Sequence, residues 1–412
     1  MAKSLIAEGK RCLQCANPKC SKGCPVHTDI KEMINLFLQN DILKAGEMLF
    51  QNNPLSLICS IVCPHEKQCE GNCVLGIKGQ AIQISEIENY ISDYYLNFVK
   101  PTHHKNTGKR VGIIGAGPAG ITIAFILAAR GYDITIFDAH DKIGGVLMYG
   151  IPEFRLPKTI LDRIKNKMVE MGIKIRPNTL IGPVLTIDDL FRDGYKAVFI
   201  GTGVWKPKAL SIKGESLGHV HYAIDYLKNP SVYDLGESVC VIGAGNVAMD
   251  VARTAIRKGV KDVTILYRGD MNSIAADKSE LEYAKIDGVK FEFLKKPFEI
   301  TDDGVLYQQT IVEKDEWGHD LFTPIQNTEQ LFACETVIVS VSQGPRNNIV
   351  STTTGIDINK GGLVSTDLEG RTTREGVFAS GDVVTGAKTV VEAVRVSKAV
   401  ADAIDVYVTG QA

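Results

Sequence analysis

The sequence predicts an α/β protein with two Rossmann-like dinucleotide-binding domains, one inserted in the other, preceded by an α-helical cysteine-rich domain. Three observations predict it. A glycine-rich loop joins a strand to an apolar helix at residues 111–130. A second such loop occurs at 239–258. Eight of the ten cysteines fall between Cys12 and Cys73.

Whole-chain properties set the limits. At 412 residues the chain has room for two or three domains with their own cores. The net charge of −2 implies no attraction to nucleic acid or to a membrane surface. The longest apolar runs, near 121–129 and 336–341, are too short to span a bilayer. The N-terminal residues have no apolar core of the signal-peptide kind, so a cytoplasmic location is expected.

Residues 1–99 form the first predicted domain. The first cysteines, Cys12, Cys15, Cys20 and Cys24, are spaced C-x2-C-x4-C-x3-C, and Pro25 follows the last. The second group, Cys59, Cys63, Cys69 and Cys73, is spaced C-x3-C-x5-C-x3-C. Between them Ile30, Met33, Ile34, Phe37 and Leu38 recur at helical spacing behind Thr28, the expected N-cap. In a reducing compartment such a cluster binds metal rather than forming disulfides. Thiolate runs ending in Cys-Pro suit iron–sulfur clusters. Zinc sites usually come as two C-x2-4-C pairs, which these spacings mostly do not match.

Residues 100–109 read as a polar linker, with His103 and His104 as solvated residues. The first dinucleotide domain covers 110–205 and 346–412. Its loop is Gly115-Ala-Gly117-Pro118-Ala119-Gly120. The glycines supply a tight turn, a close approach of backbone to pyrophosphate, and close helix–strand packing, while the helix N-terminus offers free N–H groups. The next strand ends in Asp138, an acid suited to a ribose hydroxyl. A buried strand, 197–200, ends in a glycine turn at Gly203, as a parallel sheet provides beside a cofactor.

The second dinucleotide domain, 206–345, carries Gly243-Ala-Gly245-Asn246-Val247-Ala248 between strand and helix. Ala248 replaces the third glycine, which the fingerprint tolerates. The two loops start at Gly115 and Gly243, about 128 residues apart, an internal duplication of the binding device. The following strand ends at Arg268 with no acid at its tip, which argues for a nicotinamide cofactor with a 2′-phosphate. Gly269 and Asp270 stand where a second basic residue would strengthen that argument, so NADH remains open beside NADPH. A strand near 336–341 leads to Gln343, and a last motif, Val377-Phe-Ala-Ser-Gly381-Asp382, precedes a helix from about Thr389.

Together these motifs resemble the electron-input module shared by the small (β) subunit of bacterial glutamate synthase and the flavin part of dihydropyrimidine dehydrogenase. The resemblance runs from Cys12 to about Val408. It rests on the double cysteine group, the two glycine loops, Gly150-Ile-Pro-Glu-Phe-Arg-Leu-Pro-Lys158, and the Ser-Gly-Asp motif. It implies FAD in the first dinucleotide domain, NAD(P)H in the second and two [4Fe-4S] clusters in the N-terminal domain. The FAD positions implied are Gly115, Gly117, Pro118, Ala119, Gly120, Asp138, Gly145, Arg155, Gly203, Gly381, Asp382 and Thr389. Those for NAD(P)H are Gly243, Gly245, Asn246, Val247, Arg268 and Gln343. The resemblance also implies interleaved ligation: Cys12, Cys15, Cys20 and Cys73 on one cluster, and Cys24, Cys63, Cys69 and Glu88 on the other. Cys59 would then be a buried non-ligand. Glu88 has a rival reading, since Ser85-x-x-Glu88 is a capping box at the start of a helix.

The implied activity is oxidation of NAD(P)H, hydride transfer to FAD, and single-electron delivery through the clusters to a partner. No Cys-x-x-Cys lies near the flavin motifs, and Cys240 and Cys334 are isolated in sequence, so dithiol chemistry is not expected. Within a hetero-oligomer, two partners compete: an FMN barrel protein, giving a dihydropyrimidine dehydrogenase-type complex, and a large glutamate synthase chain. The length and the 11 residues before Cys12 favour the first, which is the expected complex, while Glu88 favours the second, the alternative. A component of an electron-transfer or bifurcating complex, with no metabolic substrate of its own, is the third possibility.

Overall fold

A computed structural model describes residues 2–98 and 107–410; residues 100–106 of the expected linker, with His103 and His104, lie outside the described residues. The chain divides into two compact units. One comprises 1–147, 153–204 and 345–412, and the other 148–152 and 205–344.

The first unit begins with six helices: α1 (Ala2–Lys10), α2 (Lys19–Gly23), α3 (Ile30–Leu38), α4 (Ile42–Asn52), α5 (Ser56–Val62) and α6 (Ile84–Phe98). Ile30, Met33, Ile34 and Phe37 turn the apolar face of α3 into a core shared with Leu49, Ile84, Ile87 and Ile91. The N-cap of α3 is Asp29, one residue later than expected, with Oδ1 accepting from the Glu32 N–H at 3.1 Å. Thr28 is buried instead.

The first dinucleotide fold follows: β1 (Arg110–Ile114), α7 (Pro118–Ala129), β2 (Asp133–Phe137), α8 (Val146–Tyr149), α9 (Thr159–Glu170), β3 (Lys174–Arg176), α10 (Ile187–Arg192) and β4 (Tyr195–Ile200). The T-shaped rings of Phe50 on α4 and Phe125 on α7, 5.3 Å apart, tie the cysteine-rich helices to this fold.

The second unit contains β5 (Lys206–Pro207), β6 (Val220–Tyr222), α11 (Ala223–Lys228), β7 (Ser238–Ile242), α12 (Asn246–Arg257), β8 (Asp262–Leu266), α13 (Lys278–Ile286) and β9 (Lys290–Glu292). Then come β10 (Lys295–Thr301), β11 (Gly304–Lys314), β12 (Asp320–Pro324), β13 (Gln330–Ala333), β14 (Thr336–Val339) and β15 (Gln343–Gly344). Strands β10–β13 form an antiparallel sheet, while β5 pairs with β15.

Returning to the first unit, β16 (Val377–Ala379), α14 (Asp382–Thr385) and α15 (Val390–Thr409) complete its fold. Its sheet is parallel in the order β16-β4-β1-β2-β3, and that of the second unit is parallel in the order β6-β14-β7-β8-β9. In each, the strand that feeds the glycine loop, β1 or β7, lies at the centre with its successor beside it. Both strands are buried except at their first residue, as a sheet covered on both faces requires. No helix among the described residues is long and apolar enough to cross a membrane.

Candidate functional site

In the first unit the glycine loop leaves β1 at Gly115, whose φ of +101° suits glycine and whose Cβ would stand 2.5 Å from the Gly201 oxygen. A Cβ on Gly120 would lie 1.9 Å from the Gly115 oxygen, so helix and strand meet there without room for a side chain. Over Gly117 the space is open, with no atom nearer than 4.0 Å. This residue caps α7 with no side-chain bond to the first-turn N–H groups, and Pro118 occupies the first helical turn. The loop therefore has the free donors and close access that a pyrophosphate needs.

Asp138 is buried beneath the loop. Its Oδ2 accepts from the Ala116 N–H at 2.6 Å and its Oδ1 from the His140 N–H at 2.8 Å. It thus clamps the loop, and the two oxygens of an ionised carboxylate still have lone pairs for a ribose hydroxyl. Gly145 has φ +54°, and its Cβ would come within 3.0 Å of the Gly117 Cα, so this turn presses on the glycine loop. Arg155 is half-buried on the irregular segment before α9, and Gly203 turns at φ +68° just beyond β4.

Gly381 packs towards Ala119, and Asp382, the next residue, accepts from the Lys388 N–H at 3.2 Å. Thr389 caps α15 by accepting from the Glu392 N–H at 3.4 Å. Burial pushes the Asp382 carboxyl up to about 6. An acid that binds its proton more tightly when folded loses stability as pH rises from the unfolded value, 3.8, through the folded one, and the loss persists above. In the flavin-free protein, Asp382→Asn is therefore expected to raise stability by about 2 kcal/mol at pH 8 and by little at pH 4, read from urea midpoints.

The cysteines gather in two groups. Cys12, Cys15, Cys20 and Cys73 line one cavity, walled by Ile30, Ile34, Ile82 and Ile84 and edged by Lys19 and Lys31. Burial pushes the Cys20 thiol up, with the Cys73 and Cys12 sulfurs adding to the effect. The second group is Cys24, Cys59, Cys63, Cys69 and Glu88. The Cys63 thiol is held well above the usual range by its hydrogen bond with Cys59, by burial and by the charges of Glu88 and Cys69. Cys69, buried, feels Glu88 and Cys24.

Burial pushes the Glu88 carboxyl up to about 8, with Glu70 adding to it. The capping box that rivals the ligand reading of Glu88 is absent among the described hydrogen bonds. Helix α6 starts at Ile84, and Ser85 gives both its N–H and its hydroxyl to Glu70 Oε1, at 2.9 and 2.7 Å. Glu88 is thereby left facing the thiols. Among the described residues no three His, Cys, Asp or Glu side chains converge on a single-ion site. The first four thiols surround a cavity instead of meeting at a point, a shape that fits a multi-iron cluster.

In the second unit, Gly243 turns with φ +124°, and the space over Gly245 is empty to 4 Å. Gly245 caps α12 with no side-chain bond, and Val247 is half-buried in its first turn. Asn246 exchanges two hydrogen bonds of 2.8 Å with Asp277 and so braces the loop. Gln343 is half-buried on β15.

Arg268 is exposed, its guanidinium 4.7 Å from the centroid of Phe322 on β12. A side chain at Gly269 would run into Ser273, Phe322 and Tyr267 within 2.7 Å, which explains why no second basic residue follows. Asp270 is turned onto its own loop, accepting from Ser273 N at 2.9 Å. Cys240 and Cys334, isolated in sequence, are neighbours joined by a hydrogen bond, because β14 pairs with β7 just after Cys334.

Residues 1–99 match the family described as dihydropyrimidine dehydrogenase domain II, 4Fe-4S cluster, and residues 109–397 match the pyridine nucleotide-disulphide oxidoreductase family. A glutamate synthase [NADPH] small chain of Halomonas elongata is 35% identical over 94% of this chain and 87% of its own. The Escherichia coli protein of that description is 33% identical, covering 97% and 90%. In fold, the chain is similar to Mycobacterium tuberculosis FprA in complex with NADPH, with a TM-score of 0.62 and 17% identity over 73% of this chain and 85% of that one.

Proposed function

From membership of the pyridine nucleotide-disulphide oxidoreductase family and its glutamate synthase small-chain branch, to which this chain belongs, we propose the function of its site. The chain is an NAD(P)H-dependent FAD iron–sulfur oxidoreductase acting as an electron-input subunit. Its physiological reductant is NADPH, and its partner is a large chain of the glutamate synthase type. One observation carries the partner: the match to glutamate synthase small chains extends over nearly the full length of both proteins. Support comes from Glu88, the carboxylate that distinguishes the second thiol group.

The residues divide the work. The Gly115–Gly120 loop and the start of α7 hold the flavin pyrophosphate, with Asp138 fixing the loop and accepting from the ribose. The N-terminus of α15, capped by Thr389, would lie on the flavin pyrimidine side when FAD is bound, where its dipole would favour negative charge. Gly243 and Gly245 admit the nicotinamide dinucleotide, and Arg268 meets its 2′-phosphate. Bound FAD supplies the conversion of a two-electron donor into one-electron steps. Cys12, Cys15, Cys20 and Cys73 hold one cluster, and Cys24, Cys63, Cys69 and Glu88 the other.

Anaerobic expression followed by iron, sulfide and flavin analysis tests this reading directly. Zinc without iron, or a protein that never holds flavin, would end it. Dye reduction tests the nucleotide. Arg268→Ala should lower kcat/KM for NADPH about tenfold or more and leave that for NADH nearly unchanged. Equal losses with both would remove the 2′-phosphate role.

A second partner has one observation in its favour, the match of residues 1–99 to a dihydropyrimidine dehydrogenase domain. Its complex would contain an FMN barrel protein that reduces pyrimidines. Anaerobic co-purification from the source cells separates the two partners.

A further inference from the structure

Helix α15 packs against α7, β4 and β16 of the flavin fold and also against α5, the helix of Cys59 that ends at Cys63. It thus joins the flavin fold to the second thiol group. Thr389 stands at its start, and Lys398 lies nine residues on, about 13 Å along the axis.

Lys398 is half-buried, and its Nζ donates to Asn52 Oδ1 at 2.6 Å. The Asn52 amide donates in turn to the Val26 carbonyl at 3.2 Å and to Thr28 Oγ1 at 3.3 Å. Thr28 Oγ1, buried, also accepts from the Cys24 sulfur at 3.5 Å. Lys398 and Cys24 are electrostatic neighbours as well. Among the described residues Lys398 forms no ion pair. The acid one turn further on, Asp402, is paired with Arg130 at 2.5 Å.

A half-buried ammonium with a neutral partner costs desolvation that a methionine or leucine would avoid. Simple packing does not account for it. Its charge acts on two nearby groups, Asp402, which Arg130 already holds, and the Cys24 sulfur, which has no other cation paired with it among the described residues. Charge and hydrogen bonds around the sulfurs help to set the reduction potential of an iron–sulfur cluster.

We propose that Lys398 is a positioning residue for electron transfer: its ammonium, held by Asn52 beside Cys24, raises the reduction potential of the cluster that Cys24 ligates. A cluster that gains one electron gains one negative charge, and a fixed cation beside its ligand favours that state. The electron lost by the flavin is the one gained, so the charge shifts the balance between donor and acceptor without any further reactant. The inference rests on the ligation proposed above.

The test uses the holoprotein, prepared anaerobically, with the cluster potentials followed by EPR during redox titration. In Lys398→Met, the midpoint of one cluster should fall, by about tenfold in the electron-partition constant, or about 59 mV for a one-electron couple. Lys398→Gln, which keeps a donor for Asn52, should fall equally. Lys398→Arg should stay within about twofold. The control Arg395→Gln removes an exposed cation of the same helix, paired with Glu392, and should move neither midpoint.

Unchanged midpoints in both neutral variants would overturn the proposal. So would an arginine variant that falls as far as methionine, or a control that shifts as much. An unmodified protein without iron or flavin would instead refute the function proposed above. Normal loading with unmoved potentials refutes only the role of Lys398.

Discussion

Gly120→Val is expected to yield a protein that retains its iron and has no flavin. The first added atom would already sit 1.9 Å from the Gly115 oxygen and 3.1 Å from the adjoining carbon, so the valine cannot be accommodated by a rotamer change. Backbone has to move, and the parts available are the turn at Gly115 and the first turn of α7. Gly115 is confined by the Gly201 oxygen, and α7 is buried along most of its length against β1, β2 and α15. Overpacking of this kind costs about 1–3 kcal/mol in stability. Its effect on binding is larger, because it displaces the N–H groups that meet the pyrophosphate. A matched substitution separates binding from folding. Gly117→Ala places its methyl in open space, so the melting temperature should hardly change while flavin affinity falls steeply. The measurements are flavin absorbance after gel filtration, iron content and thermal melts. Full flavin occupancy in Gly117→Ala would show that the loop does not approach the cofactor.

The parts legible in the sequence were those that local rules determine. A strand, a glycine loop and an apolar helix occur in one continuous stretch, so β1–α7 and β7–α12 could be read from Val111–Ala129 and Val239–Arg257 directly. Cysteine spacing likewise exposed a metal-binding segment. What escaped is set by tertiary partners. Ser85-x-x-Glu88 has the pattern of a capping box, but Glu70, on the preceding loop, takes the serine and leaves Glu88 among the thiols. Nothing local signals Glu70. Cys240 and Cys334 meet only because β14 lies beside β7. Lys398 and Asn52 are 346 positions apart, and their pairing depends on how α15 crosses the cysteine-rich helices. The antiparallel strands β10–β13 largely escaped the sequence analysis, because mixed polar and apolar residues on a two-sided, half-exposed sheet give a weak periodic signal.

The second large effect divides the eight N-terminal cysteines. Cys73→Ser is expected to remove about half the iron, roughly four atoms per chain, whereas Cys59→Ser removes none. Simple chain order would assign both residues to the second group. Folding instead brings Cys73 to the cavity with Cys12, Cys15 and Cys20, and leaves Cys59 buried inside α5 with its thiol hydrogen-bonded to Cys63. Serine at 73 substitutes a hard, weakly acidic oxygen for a thiolate, and a cluster tolerates that poorly. At 59 the same change puts a smaller, more polar hydroxyl into a buried site at about 1–2 kcal/mol, lowering the melting temperature without removing a ligand. Glu88→Ala completes the comparison. If its carboxylate is the fourth donor to the second cluster, this variant should also lose about four irons, with the EPR signal of the Cys73-dependent cluster intact. Should Cys59→Ser lose those irons and Glu88→Ala keep them, the ligand roles of the two residues would be exchanged. The Cys59–Cys63 hydrogen bond would then report two ligands approaching one cluster edge, and Glu88 would be a half-buried acid whose carboxyl its surroundings push up.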